Sequence, residues 1–114
     1  MLRISANMNY YLCNGNVDLR KGIFRLCESI REEMSLDPSD ASNVYMFMSR
    51  NRKVVKILHY ERGFYVLYEK RPVMGKFKKP VFDEISKFYR IQWTDMAYLT
   101  ESIVVDRMYV TPKE

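Results

Sequence analysis

Long apolar runs are missing from this 114-residue sequence. No stretch approaches the roughly 20 uninterrupted apolar residues that a membrane-spanning helix needs. The first ten residues, Met1 to Tyr10, carry one arginine and polar asparagines and lack the apolar segment of a secretory signal. We therefore expect a cytoplasmic protein that has no membrane partner.

Thiols and imidazoles are equally scarce. The only cysteines are Cys13 and Cys27, and the only histidine is His59. Two cysteines cannot build a zinc site unaided, and nothing else points to an oxidising compartment, so two buried free thiols are favoured over a disulfide. We predict no metal and no cofactor, and we interpret His59 as a packed or surface side chain rather than a general base.

Recognisable catalytic motifs are also absent. DNA cleavage by two metal ions needs carboxylates gathered around the ions, but Asp83 and Glu84 are adjacent and point apart on a strand or helix, and Asp106 has no obvious partner. No glycine-rich loop with a lysine resembles a phosphate-binding motif. We predict that the protein is not an enzyme; metal-dependent nicking that is lost with these acidic residues would contradict this.

The composition is that of a globular domain. Hydrophobic residues make up 47% of the chain, which is ordinary for a protein with a core, and the length fits a single domain over residues 1–114. Repeats and long linkers are not found, and the four glycines and four prolines mark turns.

The N-terminal part predicts a short strand and then an amphipathic helix. Tyr10 to Cys13 fits a strand that ends at the turn Asn14-Gly15-Asn16. Asp18 is the expected N-cap of the helix, and Asp37-Pro38 lies just beyond its end. Spacings of three and four residues place one apolar set on a single face of this helix: Leu19, Ile23, Leu26, Cys27, Ile30 and Met34.

Three strands are predicted next, over 44–48, 54–60 and 64–70. The polar run Ser49 to Arg52 and the loop Glu61-Arg62-Gly63 are short connections, which favour an antiparallel meander because parallel neighbours need a long crossover. Lys56 interrupts an otherwise apolar run, and a sheet with one solvent-exposed face would explain it.

The pattern is less regular after Pro72. Met74-Gly75 resembles a turn, 77–80 an extended stretch, 82–89 either a helix or a strand, and 104–110 a last strand or an ordered tail. Thr94 is the expected N-cap of a helix through Glu101. The predicted fold class is therefore α+β: an antiparallel sheet, a meander of three or more strands, with an N-terminal amphipathic helix and a short C-terminal helix.

Basic residues are concentrated in the middle of the chain. Ten basic and two acidic residues lie between Arg50 and Lys79, a net charge of +8, whereas the remainder has nine basic and twelve acidic residues and a net charge of −3. A basic region on a mildly acidic body indicates a polyanionic partner. The alternative is a solvated sheet edge guarded by lysine and arginine.

The candidate nucleic-acid-binding residues combine this region with the predicted start of the helix. Cations in a helix's first turn oppose the helix dipole, which favours a phosphate contact there, unless Asp18 simply offsets them. Tyr65 and Phe77 lie among the charges and are candidates for base stacking, although core packing is favoured for each. The full candidate set is Arg20, Lys21, Arg50, Arg52, Lys53, Lys56, Lys70, Arg71, Lys76, Lys78 and Lys79.

Several short motifs, in order and at matching spacing, resemble a known family. They are Asp18-Leu19-Arg20-Lys21-Gly22, Asp37-Pro38, Val44-Tyr45-Met46-Phe47, the long run from Arg50 to Leu58, Gly63-Phe64, Leu67-Tyr68, Lys70-Arg71, Gly75-Lys76-Phe77, Pro80, Trp93-Thr94 and Leu99 to Ile103. Together they resemble the second-reading-frame proteins (TnpB-like, Orf2) of insertion-sequence-66-family transposons, over about Tyr11 to Ile103. Leu99-Thr100-Glu101-Ser102-Ile103 departs slightly from the family's Leu-Leu-Glu-Gly-Ile.

The resemblance implies an accessory protein that is encoded beside a separate transposase and is needed for efficient transposition and DNA recombination. Two roles remain open. In the first, the protein contacts DNA through a basic hairpin surface without catalysis. In the second, it is an assembly factor that binds the cognate transposase with little direct DNA contact, and its eight methionines and sixteen aromatic residues would supply an adaptable apolar surface.

Overall fold

A computed structural model describes residues 5–13, 19–20, 22–81, 86 and 88–104. Seven strands and two helices are assigned within these ranges. In chain order they are β1 (Asn9–Cys13), α1 (Ile23–Met34), β2 (Asn43–Met48), β3 (Val55–Glu61), β4 (Phe64–Lys70), β5 (Lys76–Phe77), β6 (Phe88–Ile91), α2 (Trp93–Glu101) and β7 (Ile103–Val104).

In the part of the chain that the structure describes, five strands form one sheet in the order β4-β3-β2-β1-β6. Strands β2, β3 and β4 pair antiparallel through short turns, and β6 pairs antiparallel with β1. Strand β1 runs parallel to β2, with Tyr10 opposite Val44 and Cys13 opposite Phe47. Strands β5 and β7 form a separate two-stranded sheet.

The predicted fold class is therefore wrong in two respects. The sheet is mixed rather than antiparallel, and α1 is not N-terminal, since β1 precedes it. The reason is the crossover: twelve helical residues span about 18 Å, close to the roughly 17 Å of a five-residue strand. Helix α1 thus returns the chain to the end at which β1 began, and β2 must then run in the same direction as β1.

The start of α1 also differs from the prediction. The helix begins at Ile23, with Gly22 rather than Asp18 as its N-cap residue and no side-chain cap. Leu19 and Arg20 lie in a turn before the helix, so Arg20 is not in its first turn and the argument from the helix dipole does not apply to it. Lys21, Asp18 and the predicted turn at 14–16 lie outside the described residues.

Both faces of the central strands are covered. Helix α1 packs its buried residues against the side chains of one face: Cys13, Tyr45, Phe47 and Leu58. On the other face lie residues of α2 and β5: Phe77, Met96 and Leu99. The expectation of one solvent-exposed face is wrong, because every residue from Val55 to His59 is buried.

The segments after β4 complete the core on the sheet face opposite α1, which we call the second core. The Phe77 N–H donates a hydrogen bond of 2.7 Å to the Arg52 carbonyl, which ties β5 to the turn between β2 and β3. Helix α2 begins at Trp93, with Gln92 rather than Thr94 as its N-cap and a capping box closed by Asp95. The open helix-or-strand segment 82–89 is described only at Ser86 and at the start of β6, and 105–110 lies outside the described residues.

The predicted free thiols are confirmed. Cys13 and Cys27 are both buried and unpaired by a disulfide; the Cys13 thiol donates to Met34 Sδ at 3.5 Å. Burial raises the pKa of both thiols above the ordinary value. Neither helix within the described ranges is long and apolar enough to cross a membrane.

Candidate nucleic-acid interface

Four cationic side chains line one open pocket with a volume of about 560 Å³. They come from three separate segments: Arg20 from the turn before α1, Arg50 and Lys56 from the β2–β3 hairpin, and Arg71 from the end of β4. Neutral side chains complete the lining: Leu19, Ser49, Asn51 and Val54. The pocket thus gathers positive charge that is dispersed along the sequence.

The turn between β2 and β3 is held by its own side chains. Ser49 Oγ donates to Asn51 Oδ1 at 2.7 Å and accepts the backbone N–H groups of Lys53 and Val54 at 3.1 and 3.0 Å. Asn51 Oδ1 also accepts the Lys53 N–H at 3.1 Å. Arg52 adopts a left-handed conformation, with φ of 60°. Short polar side chains of this kind replace backbone hydrogen bonds in turns, so the wall that carries Arg50 is preorganised.

Lys56 forms the floor of the pocket. It is 9% exposed, and its ammonium group donates to the Leu19 carbonyl and lies 3.7 Å from Glu69 Oε1. A buried ammonium group needs such partners because burial without them is costly. Lys56 therefore fixes the turn that carries Arg20 against the sheet.

Glu69 balances part of the positive charge. The Arg71 guanidinium donates to Glu69 Oε2 at 2.7 Å, and this hydrogen bond, aided by Lys56, lowers the pKa of the Glu69 carboxyl. The four cations and this carboxylate together carry a net charge of +3. Arg20, Arg50 and Arg71 are exposed residues, and planar guanidinium groups match the oxygens of phosphates.

Comparison with known families identifies the chain. The sequence profile of the family described as IS66 Orf2 like protein matches residues 8–109. This chain belongs to the IS66 Orf2-like family. The resemblance read from the sequence motifs is thereby confirmed, and the protein is an accessory protein of an insertion-sequence transposon.

One curated relative is also similar to this Orf2-like protein. It is an uncharacterized protein, y4hO, of Sinorhizobium fredii, 28% identical over 80 residues, which are 70% of this chain and 69% of the relative. No solved structure matches the chain.

The other candidate residues that the structure describes do not line the pocket. Lys53 is exposed and Arg52 half-buried on the same β2–β3 turn as Arg50, but neither lines the pocket. On the opposite face of the sheet, Lys70 forms an ion pair of 2.6 Å with Glu101, and Lys78 donates to the Tyr98 hydroxyl at 3.0 Å. The others are Lys76, half-buried in β5, Lys79, exposed after it, and Lys21, which lies outside the described residues.

Two aromatic candidates for base stacking also have other roles. Phe77 is completely buried in the second core, so it has no ring face for a base. Tyr65 is half-buried, and its ring centroid lies 5.3 Å from that of Tyr60 in an edge-on contact. For both side chains the structure agrees with the favoured interpretation, which is core packing.

Sequence reasoning missed the carboxylate beside the pocket, Glu69, and two of the neutral residues that line it, Ser49 and Asn51. Glu69 lies directly opposite Lys56 in the β3–β4 register, and counting outward from the Arg62-Gly63 turn would have found this pair. Ser49 and Asn51 are polar residues in a turn, a pattern that indicates side-chain hydrogen bonds within the turn. Arg20 belongs to the predicted set, but its position beside the β2–β3 hairpin has no such local signal.

His59 is packed rather than poised for catalysis. It is 2% exposed, and its Nε2 lies 2.9 Å from the Ala41 carbonyl, to which it donates. Its Nδ1 has no hydrogen bond and lies 3.6 Å from Glu61 Oε1. Among the described residues, no three His, Cys, Asp or Glu side chains are grouped to hold a metal ion; the candidates Asp83, Glu84 and Asp106 lie outside those residues.

Proposed function

We propose that this Orf2-like protein supports transposition by contacting DNA through the basic pocket, without catalysing a reaction itself. One observation carries the proposal: Arg20 joins Arg50, Lys56 and Arg71 around a single pocket although 51 positions separate the first from the last. The alternative interpretation, in which lysine and arginine only protect a solvated sheet edge, does not require cations from three segments to line one pocket. Convergent guanidinium groups are typical of sites for phosphate.

The chemistry of the pocket favours the DNA backbone over the bases. Exposed arginines displace the counterions that surround DNA phosphates, which gives affinity without sequence preference. Among the described residues, Asn51 is the one side-chain amide in the lining, and its Oδ1 already accepts hydrogen bonds from Ser49 and Lys53. An amide that reads adenine must offer both its oxygen and its nitrogen. We therefore expect little discrimination between sequences.

The test measures binding of the purified protein to a labelled transposon-end duplex and to a scrambled duplex of equal length. The Arg50→Ala/Arg71→Ala variant removes two exposed cations of the pocket. The control, Arg25→Ala/Lys79→Ala, removes the same charge from exposed positions that do not line the pocket. We expect the dissociation constant to rise at least about tenfold for the pocket variant, which corresponds to about 1.4 kcal/mol, and at most about threefold for the control.

Two outcomes would contradict the proposal. Equal losses in both variants would mean that the overall positive charge, not the pocket, attracts DNA. No binding of the unmodified protein at low salt would leave the isolated protein without a DNA contact. Similar affinities for the end and scrambled duplexes are expected, because the proposed contacts are to phosphates.

A second candidate function, assembly with the cognate transposase, is supported by exposed apolar side chains in the connection between β4 and β5. Val73 is fully exposed and Met74 is 69% exposed; neighbouring apolar groups left in water are typical of protein-binding surfaces. Val73→Ser/Met74→Ser should then weaken co-purification with the cognate transposase while DNA binding is unchanged. Unaltered co-purification would contradict this role for the segment.

A further inference from the structure

Strand β4 forms one edge of the five-stranded sheet. Its inner edge pairs with all seven residues of β3, and no strand among the described residues pairs with its outer edge. The strand is seven residues long and contains no proline. Long edges of this kind offer unpaired backbone groups to another strand, and natural proteins usually shorten, charge or cover them.

The side chains of β4 add to this exposure. Phe64 is 72% exposed and Tyr68 is 47% exposed. With Val66 between them they lie on the same face of the sheet, because alternate residues of a strand share a face. Exposed aromatic side chains on an unpaired edge indicate a surface that another chain covers.

We propose that β4 pairs antiparallel with β4 of a second copy of this protein, so that two five-stranded sheets become continuous. The sequence of the strand is self-complementary in the register centred on Val66. Phe64 then lies opposite Tyr68 of the second copy, Val66 opposite Val66, and Tyr65 opposite Leu67. Aromatic and β-branched cross-strand pairs are the ones that stabilise antiparallel sheets.

The backbone geometry permits this register. Arg62 and Gly63 both have positive φ, 46° and 88°, which is typical of a two-residue type I′ hairpin. The flanking residues Glu61 and Phe64 then exchange hydrogen bonds with each other, so the outward-facing backbone groups belong to Tyr65, Leu67 and Glu69. The proposed register places Tyr65 opposite Leu67, so the outward-facing N–H and C=O groups of one copy lie opposite those of the other. A shift by one residue would place them opposite inward-facing groups.

The charges at the ends of the strand are compatible with a second copy. The overlap with the second copy covers residues 64–68, because the hairpin turn begins before Phe64, so no charged residue of β4 lies opposite a charged residue of the second copy's strand. Lys70 lies beyond the overlap and is held by Glu101 at 2.6 Å within its own chain. A strand that complements itself at its centre favours an identical chain over an unrelated partner.

Pairing would place two basic pockets on one face of the joined sheet, a consequence that rests on the proposed function. The two-fold axis passes through Val66 perpendicular to the sheet, so both copies of α1 lie on the same side. Arg71 and its counterpart are ten residues apart along the paired strands, about 34 Å at the rise of an antiparallel strand. One turn of B-DNA is also about 34 Å, so both pockets would meet the same side of a duplex.

The first test is sedimentation of the full chain in the absence of DNA. Because Phe64 and Tyr68 are exposed, Phe64→Lys/Tyr68→Lys and Phe64→Glu/Tyr68→Glu should fold with unchanged circular dichroism. We expect the unmodified protein to dimerise. Each variant alone should be monomeric, with a self-association constant at least about tenfold weaker. An equimolar mixture of the two variants should form a heterodimer. A monomeric unmodified protein, or a mixture that stays monomeric, would overturn the proposal.

The second test fixes the register. Val66→Cys should form a disulfide across the axis, since Cα atoms in a non-hydrogen-bonded antiparallel pair are about 4.5 Å apart, whereas the control Phe24→Cys, exposed on α1, should not. Absence of Val66→Cys cross-linking beyond the control would contradict the register. Dimerisation is measured without DNA, so the two proposals are tested separately. A dimer that binds no duplex would contradict only the proposed function, and a monomer that binds DNA would contradict only the proposed dimer.

Discussion

At the scale of single residues, Lys56 shows how a buried charged side chain can hold a neighbouring turn in place. The ammonium group contacts the Leu19 carbonyl and Glu69 from inside the sheet, and lysine is seldom buried to this degree without partners. Its role in the pocket is therefore to position the turn before α1, while the exposed arginines supply the groups for the proposed DNA contact.

Replacing Lys56 by methionine tests this positioning role. The variant keeps the apolar stem but leaves the Leu19 carbonyl without its donor, and we expect the free energy of unfolding to fall by about 1–3 kcal/mol. Urea denaturation followed by circular dichroism measures the change. Lys53→Met, on the exposed part of the hairpin turn, is the matched control and should change stability by less than about 0.5 kcal/mol. Equal stability of the two variants would show that the buried contact contributes nothing.

Asp37 and Asp40 predict a dependence on pH. Asp37 Oδ1 accepts the Ser39 hydroxyl and N–H at 2.7 and 2.9 Å, and Asp40 does the same with Ser42 at 2.6 and 2.9 Å. These hydrogen bonds lower the pKa of both carboxyls below the ordinary 3.8. The stabilisation is therefore fully present above about pH 4 and is lost as the pH falls through the lowered folded pKa values.

The measurement is the midpoint of thermal unfolding between about pH 5 and pH 2. Asp37→Asn/Asp40→Asn keeps an oxygen that accepts the same hydrogen bonds but cannot titrate. We expect the midpoint of the unmodified protein to fall more steeply with acid than that of the variant, and the two curves to converge at low pH. Parallel curves would show that these carboxyls do not contribute to acid unfolding.

At the scale of elements, the end of α1 shows where the sequence conflicts with the backbone. Ser35 is the C-cap residue and adopts a left-handed conformation, with φ of 53° and ψ of 37°. This conformation is disfavoured for residues with a Cβ atom, and glycine is the usual solution at helix ends. We expect Ser35→Gly to raise the free energy of unfolding by about 0.5–1 kcal/mol.

The matched control is Glu28→Gly, on the exposed side of the same helix. Glycine in a helix interior loses about 1 kcal/mol relative to good helix formers, so the same replacement should have opposite signs at the two positions. Denaturant unfolding of both variants gives the comparison. A loss of stability at Ser35 would mean that its side chain makes a contribution larger than the cost of its backbone conformation.

The elements also divide into those that local pattern can predict and those that it cannot. Strands β2, β3 and β4 lie within about one residue of their predicted positions, because short apolar and aromatic runs between short polar turns are local signals. The partner of β1 is not locally encoded: its parallel pairing depends on the length and packing of α1. The N-cap of α1 was misplaced because Asp18 has a strong capping preference, whereas the helix begins after Gly22.

At the scale of the whole molecule, the same division applies to the candidate site. Counting charges located the basic stretch, and the hairpin register accounts for Lys56 and Glu69. Arg20 lines the same pocket as Arg50 because Lys56 holds the turn before α1 against the sheet, a contact between distant segments. Lys70 and Lys78, equally basic in sequence, lie on the opposite face, where they contact Glu101 and Tyr98. Composition thus predicts a polyanionic partner, while tertiary structure determines which cations line the pocket.

The salt dependence of DNA binding separates the pocket from the protein's overall charge of +5. The logarithm of the DNA affinity falls linearly with the logarithm of the salt concentration, and each phosphate contact on B-DNA makes the slope steeper by about 0.9. We expect Arg50→Ala/Arg71→Ala to make this slope shallower by about 1.8 for each copy of the protein bound, and Arg25→Ala/Lys79→Ala to leave it unchanged. Titrations at several salt concentrations measure it.

The size of the slope change also reports the number of pockets on one duplex. If two copies bind side by side through β4, the loss should double to about 3.6, and it should return to about 1.8 when Phe64→Lys/Tyr68→Lys is added. Equal slopes in the pocket and control variants would instead assign the attraction to diffuse charge. The electrostatic measurement therefore tests both the role of the four converging cations and the continuity of the sheet that would align them along DNA.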